Sequence, residues 1–179
     1  MDHRARLNGH QVVKKAEVSN WPTSMTRSFA AFGDHWNLTI MMKALMGAKR
    51  FEDFQRPTKM NRSVLTQRLE GLIALGILRK VEYQSKPPRF HYRLTEKGLA
   101  TTPILFAMAS WDEKFDSGSS QTPQRYRHST CGNQTHAVVV CSQCGQPISA
   151  HNIATEFLTP EAITFAQEHC ATAVTLKNA

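Results

Sequence analysis

No cysteine precedes residue 131 in this chain of 179 residues; the four that exist, Cys131, Cys141, Cys144 and Cys170, crowd into its last third. Disulfides therefore cannot hold the first two thirds, which must fold on apolar burial alone. Long hydrophobic runs are also missing. Stretches such as Leu38–Met42 and Ala137–Cys141 fall far short of the ~18 residues a membrane helix needs. No apolar core follows Met1-Asp2-His3-Arg4, so no secretory signal is read and a cytoplasmic protein with no membrane partner is expected. There is no Gly-rich phosphate loop, no Gly-x-Ser-x-Gly elbow and no His-Glu-x-x-His, and the scattered His and Asp residues form no catalytic set. An enzyme is thus the class with least support. No internal repeat is evident.

Acidic residues are scarce as well, 14 against 22 basic ones, for a net charge of +8. The imbalance is local: residues 1–115 hold 19 basic and 10 acidic side chains, and residues 116–179 hold 3 and 4. A basic domain of this kind suits a polyanionic partner, because each neutralised phosphate releases counterions. The composition, 41% hydrophobic and 20% charged, is that of a globular chain with a real core.

Residues 1–22 are polar and without clear period, and are read as an N-terminal arm. Helical spacing begins at Thr26–Phe32, with Thr23 or Ser24 as N-cap. It resumes over Trp36–Met46 up to Gly47, over a short Arg50–Gln55 segment broken before Pro57, and in a helix over about 61–75 capped by Asn61. The pattern then turns β-like over 77–83 and 89–94, around Gln84-Ser85-Lys86-Pro87-Pro88, which predicts a hairpin. Thr95 caps a further helix running to about Phe115, which Pro103 kinks or divides. Residues 117–124 read as a linker. The expected organisation is a winged helix–turn–helix domain over 23–116 and a small metal-stapled module with a C-terminal helix, from Thr159-Pro160-Glu161 to His169, over 125–179. The fold class is α+β.

In the 61–75 helix Leu65, Leu69, Leu72 and Ile73 share one face and must point inward. The opposite face shows Arg62, Ser63, Thr66, Gln67 and Glu70, and all but Glu70 can reach base edges or phosphates. The free N–H groups at its start suit phosphate too. A helix so placed enters the major groove while the wing, about 77–94, rides on the backbone or minor groove. The candidate double-stranded-DNA contacts are Lys49, Arg50, Asn61, Arg62, Ser63, Thr66, Gln67, Arg68, Lys86 and Arg89. Any amphipathic helix has a polar face, so a non-reading scaffold is the competing interpretation.

Several stretches in order carry a family resemblance: Gly33-Asp34-His35-Trp36, Arg50-Phe51-Glu52-Asp53-Phe54-Gln55, Val64-Leu65-Thr66-Gln67-Arg68-Leu69, Leu75-Gly76-Ile77-Leu78, and Pro87 through Gly98. Over Phe29–Phe115 the chain resembles the HxlR-type winged-helix regulators, related to the MarR group. The resemblance implies a homodimeric transcription regulator whose first and last helices pair, here through Phe29, Phe32, Leu105, Met108 and Trp111; these residues could equally be intramolecular core. It also implies a small-molecule effector near the dimer interface, though no residue names one. Family members often carry a thiol shortly before the first helix; the matching position here is Thr23, which argues against a thiol switch of that kind.

The tail has its own chemistry. His128-Ser129-Thr130-Cys131-Gly132 and Cys141-Ser142-Gln143-Cys144-Gly145 each place two soft ligands at i and i+3, followed by a glycine. One imidazole and three thiolates, from His128, Cys131, Cys141 and Cys144, make a closed tetrahedral set for one structural Zn2+ per chain. Ala137–Val140 between them reads as a strand, completing a zinc-ribbon-like module, and similar Cys-rich extensions occur in the family. A Cys-x2-Cys redox pair lacks its βαβ context here. His136, His151, His169 and Cys170 are spare ligands. Two further readings stay open: a protein-interaction module on a scaffold, and a zinc-responsive regulator.

Overall fold

The computed structural model describes residues 24–115 and 124–169. In chain order the elements are α1 (Ser24–Phe32), α2 (His35–Leu45), α3 (Phe51–Thr58), α4 (Arg62–Ala74), β1 (Leu78–Ser85), β2 (Pro88–Leu94), α5 (Glu96–Leu99), α6 (Thr102–Phe115) and α7 (Pro160–His169). The expected arm over 1–22 and most of the 117–124 linker lie outside the described residues.

Local chemistry sets most boundaries. The Asp34 carboxylate accepts the N–H groups of Trp36 and Asn37 and starts α2. Asn61 Oδ1 accepts the Ser63 N–H at 3.1 Å and starts α4, and Thr95 Oγ1 does the same for Gly98 in α5. Such side-chain caps satisfy N–H groups that have no intrahelical partner. The turn between α3 and α4 is short: Lys59 takes the left-handed conformation, φ 53°, and Met60 is buried. Two boundaries differ from the sequence reading. Helix α3 continues through Pro57 to Thr58, because proline this near a helix end sacrifices one backbone bond only. The predicted helix from Thr95 is divided into α5 and α6, with Pro103 in the first turn of α6, where its missing N–H costs least.

The core gathers Ile40 and Met41 of α2, Phe54 of α3, Leu65, Leu69 and Leu72 of α4, and Ile77 and Leu78 leading into the wing, all fully buried. At ~1.5–3 kcal/mol per buried side chain this cluster is the main source of stability. The wing is antiparallel, in register from Leu78↔Leu94 to Ser85↔Pro88 with an irregularity between Glu82 and Gln84. The Tyr92 N–H donates to the Lys49 carbonyl at 2.7 Å, attaching the chain before α3 to the flank of β2. Thr95 Oγ1 and Lys97 Nζ donate to the carbonyls of Gly76 and Leu75, tying the base of the wing to the end of α4. No helix of the described residues is long and apolar enough to cross a membrane.

The described residues of 31–154 form one compact unit, and those of 24–30 with 155–169 form another. Within the first, the Ala137 N–H donates to Ser110 Oγ of α6 at 2.8 Å, and the Tyr126 ring meets Phe106 of α6 edge-on, centroids 4.8 Å apart. In the second unit Thr26, Ala162 and Ala166 are buried, and Thr159 caps α7 by accepting the Ala162 N–H. The strand predicted over Ala137–Val140 does not form. Only single bridges occur there, Arg127↔Gln134 and Val140↔Pro147, because each loop turns back on itself before a ladder can grow.

Gly98 is buried where α5 leaves the wing, and a Cβ there would run into the Ile77 carbonyl and Leu94 Cδ2. Backbone cannot yield as a side-chain tip can. Gly98→Ala is expected to lower unfolding free energy by ~1–3 kcal/mol, read by denaturant titration; an unchanged midpoint would refute the clash.

Candidate nucleic-acid interface and cysteine loops

Helix α4 is sorted cleanly. Leu65, Leu69 and Leu72 are buried, while Asn61, Arg62, Ser63, Thr66, Gln67 and Glu70 are exposed. The guanidinium of Arg62 lies over the Phe51 ring, 4.7 Å from its centroid, which pre-orients it at the helix start. Arg68 stands apart from this face. Its Nη2 pairs with the Asp34 carboxylate at 3.1 Å, and its side chain is two-thirds covered. The structure thus directs Arg68 toward the start of α2.

Lys49 and Arg50 are exposed just before α3, and the Asp53 carboxylate accepts both of their backbone N–H groups, at 3.0 and 2.8 Å. Those bonds, Arg50's first and Lys49's second, hold the Asp53 carboxyl below its ordinary 3.8; slight burial opposes them, and the charges of Arg50 and Arg56 reinforce them. Lys86 and Arg89 flank the exposed wing turn.

Reading the sequence missed the wing's outer stack. The His91 ring lies on Tyr83 at 4.2 Å, and the Arg50 guanidinium covers Tyr83 at 5.4 Å. Desolvation, then the charges of Arg93, Arg50 and Lys49, push the His91 pKa down. Its environment therefore registers the positive field of this surface. The signal available beforehand was the alternation of Arg89, His91 and Arg93 along β2.

The residues proposed for pairing two copies divide. Phe32 and Leu105 pack against the core. In contrast, Ile104, Met108, Trp111 and Phe115 of α6 are 45%, 47%, 65% and 64% exposed, and Phe29 in the second unit is partly exposed. No residue of the second half of α6 is buried. The spacing 104, 108, 111, 115 is that of a heptad seam.

The four predicted metal ligands come together as two pairs. His128 Nδ1 is 3.5 Å from Cys131 Sγ. The Cys141 thiol is held below the usual thiol range, first by the backbone N–H groups of Cys144 and Gln143 and then by the Cys144 side chain, against a small burial effect. Among the described residues no three His, Cys, Asp or Glu side chains gather into a group able to hold a metal ion. His136 and His151 join neither pair, and the His169 side chain and Cys170 lie outside the described residues.

The helices, turn and hairpin define a winged helix–turn–helix. The family model for HxlR-like helix-turn-helix proteins matches residues 31–120, and the chain belongs to that family. It is 32% identical over 133 residues to an uncharacterised HTH-type transcriptional regulator of Mycobacterium tuberculosis, covering 74% of this chain and 84% of the relative. Against the HTH-type transcriptional regulator YodB of Bacillus subtilis it is 29% identical over 92 residues, 51% of this chain and 82% of YodB. Among solved structures, PA1607, a candidate transcription factor, matches with a TM-score of 0.70 at 26% identity, over 77% of this chain and 96% of PA1607. The redox regulator HypR in its reduced form matches with a TM-score of 0.50 at 29% identity, over 54% of this chain and 96% of HypR. This membership places the chain among transcription regulators rather than enzymes.

The Asp53 cap yields a pH-dependent expectation. A carboxylate whose pKa is depressed by folding stabilises fully above its unfolded value and loses that contribution as pH falls through the folded one. Asp53→Ala should cost about 1 kcal/mol near neutrality, with the gap to wild type closing as the pH drops below 3.8. Urea unfolding across that range checks it, and a gap independent of pH would refute the role.

Proposed function

We propose that the protein is a homodimeric, sequence-specific DNA-binding transcription regulator. The observation that carries this reading is the division of α4 into a fully buried apolar face and an exposed hydrogen-bonding one beside a basic wing. In the complex, Arg62, Ser63, Thr66 and Gln67 face base edges and phosphates in the major groove, and Asn61 lies at the helix start, where free N–H groups favour a phosphate. Lys49 and Arg50 sit on the flanking backbone, and Lys86 and Arg89 carry the wing onto the neighbouring backbone or minor groove. Arg68 has the smallest part, because Asp34 already neutralises it.

The second copy covers the α6 seam of Ile104, Met108, Trp111 and Phe115. Two recognition helices then meet successive major grooves, ~34 Å apart, and the operator is expected to be a near-palindrome. DNA reading in this proposal runs through no metal.

Fluorescence anisotropy against the DNA upstream of its own gene and a scrambled duplex, over a salt series, tests the reading. Wild type should bind the first tightly and the second weakly with steep salt dependence. Arg62→Ala with Arg89→Ala should cost at least tenfold on the specific duplex, since one good base contact is worth ~1–3 kcal/mol. Equal weak binding to both duplexes would refute it. For the dimer, Met108→Glu with Trp111→Glu should shift sedimentation from two chains to one; an unchanged dimer would place the seam elsewhere.

A further inference from the structure

Residues 124–154 present a physical problem. Every side chain there is exposed or half-exposed, and the only regular pairing is two single bridges. Segments this short cannot hold themselves by apolar burial; chains below ~40 residues usually rely on disulfides, metals or assembly. What order exists comes from two loops that repeat each other bond for bond. In the first, the His128 N–H donates to the Asn133 carbonyl, Gly132 to His128, and Thr135 to Tyr126. In the second, Cys141 donates to Gln146, Gly145 to Cys141, and Ile148 to Val139. The bridges Arg127↔Gln134 and Val140↔Pro147 correspond in the same way. One constant offset along the chain superimposes all of these, and it carries His128 onto Cys141 and Cys131 onto Cys144. Gly132 and Gly145 turn at φ 72° and 71°, a left-handed conformation that favours glycine.

Sequence identity between the loops is confined to Ser129 and Ser142, Cys131 and Cys144, and Gly132 and Gly145. The shared parts are therefore one ligand-type residue and its turn. A backbone motif built twice around soft donors is the architecture of a half-site built twice. A Cys141–Cys144 disulfide would use one loop and leave the His128–Cys131 loop without a purpose.

We propose that the two loops are the halves of a single structural zinc site, one metal per chain, with His128 and Cys131 supplying one pair of ligands and Cys141 and Cys144 the other. In the structure these side chains stand as two separate pairs; drawn together on the metal, one nitrogen and three sulfurs would make a tetrahedral shell with no position for substrate water. Zinc supplies the staple that this coreless segment lacks. It also secures the flanks of the loops, where Tyr126 meets Phe106 and the Ala137 N–H meets Ser110 on α6. The inference is independent of the DNA-reading proposal.

The test uses the full chain, purified under reducing conditions. Elemental analysis should find about one zinc per chain. Both paired variants, His128→Ala with Cys131→Ser and Cys141→Ser with Cys144→Ser, should lower that content at least tenfold. Cobalt exchanged into wild type should give the intense charge-transfer absorption of tetrahedral thiolate ligation, which keeps the test intact if a variant misfolds. Chelation should abolish hydrogen-exchange protection over residues 126–148 and leave Leu65–Leu72 protected. Metal-free protein, two metals per chain, or full zinc retention in the His128/Cys131 variant would each overturn the shared site.

Discussion

The burial of one face of α4 is the constraint on which the rest depends. Leu65, Leu69 and Leu72 have no water contact, and helical geometry then dictates which residues the other side presents. The polar face of Arg62, Ser63, Thr66 and Gln67 is thus a consequence of core packing before it is a binding surface. Its stiffness has the same origin. Phe54 from α3, Ile40 and Met41 from α2, and Ile77 and Leu78 from the wing all converge on that apolar side. The ends are secured separately, by Asn61 at the start and by Thr95 and Lys97 on the closing carbonyls. Side chains that must be read against a rigid duplex gain from being held this way, because little freedom remains to be lost on docking.

Charge is organised with similar economy. Positive groups are abundant around α4 and the wing, yet several are partly committed within the fold, Arg50 over Tyr83 and Lys97 on the Leu75 carbonyl among them. Arg68 is drawn to Asp34, which also caps α2, and Arg62 rests on Phe51. An ion pair between two partly covered side chains, still reached by water, adds about 1 kcal/mol, so its effect is chiefly one of direction. The fold keeps Arg68 on one side of the helix and leaves the other to shorter polar groups. On the wing, the stacked Tyr83 and His91 stiffen a strand whose neighbours repel one another.

Periodicity made the architecture legible. The order of helices and hairpin, the Asn61 and Thr95 caps and the sidedness of α4 arise from spacing and capping chemistry that act within a few residues. The features that stayed hidden depend on distance. Nothing near Arg68 in the chain names Asp34 as its partner, and Tyr83, on which His91 stacks, lies at the irregularity between Glu82 and Gln84. Composition marks a linker but is blind to the docking of Ala137 on Ser110 and of Tyr126 on Phe106. The likeness of the two cysteine loops was legible in their ligands and glycines, but the full extent of their repeat was not. It resides in backbone hydrogen bonds, which almost any side chain permits, so only the cysteine, the glycine and one serine record it in the sequence.

Helix α6 serves two neighbourhoods at once. Phe106 and Ser110 lie under the cysteine-rich segment, while Ile104, Met108, Trp111 and Phe115 form its exposed apolar edge. These two sets are interleaved along the same turns. A residue inserted or deleted within them would rotate everything beyond it by ~100°, misaligning both sets in a single event. Substitutions here can be absorbed one position at a time, but changes of length cannot. This helix should therefore vary in spelling and hardly ever in length among descendants of the chain.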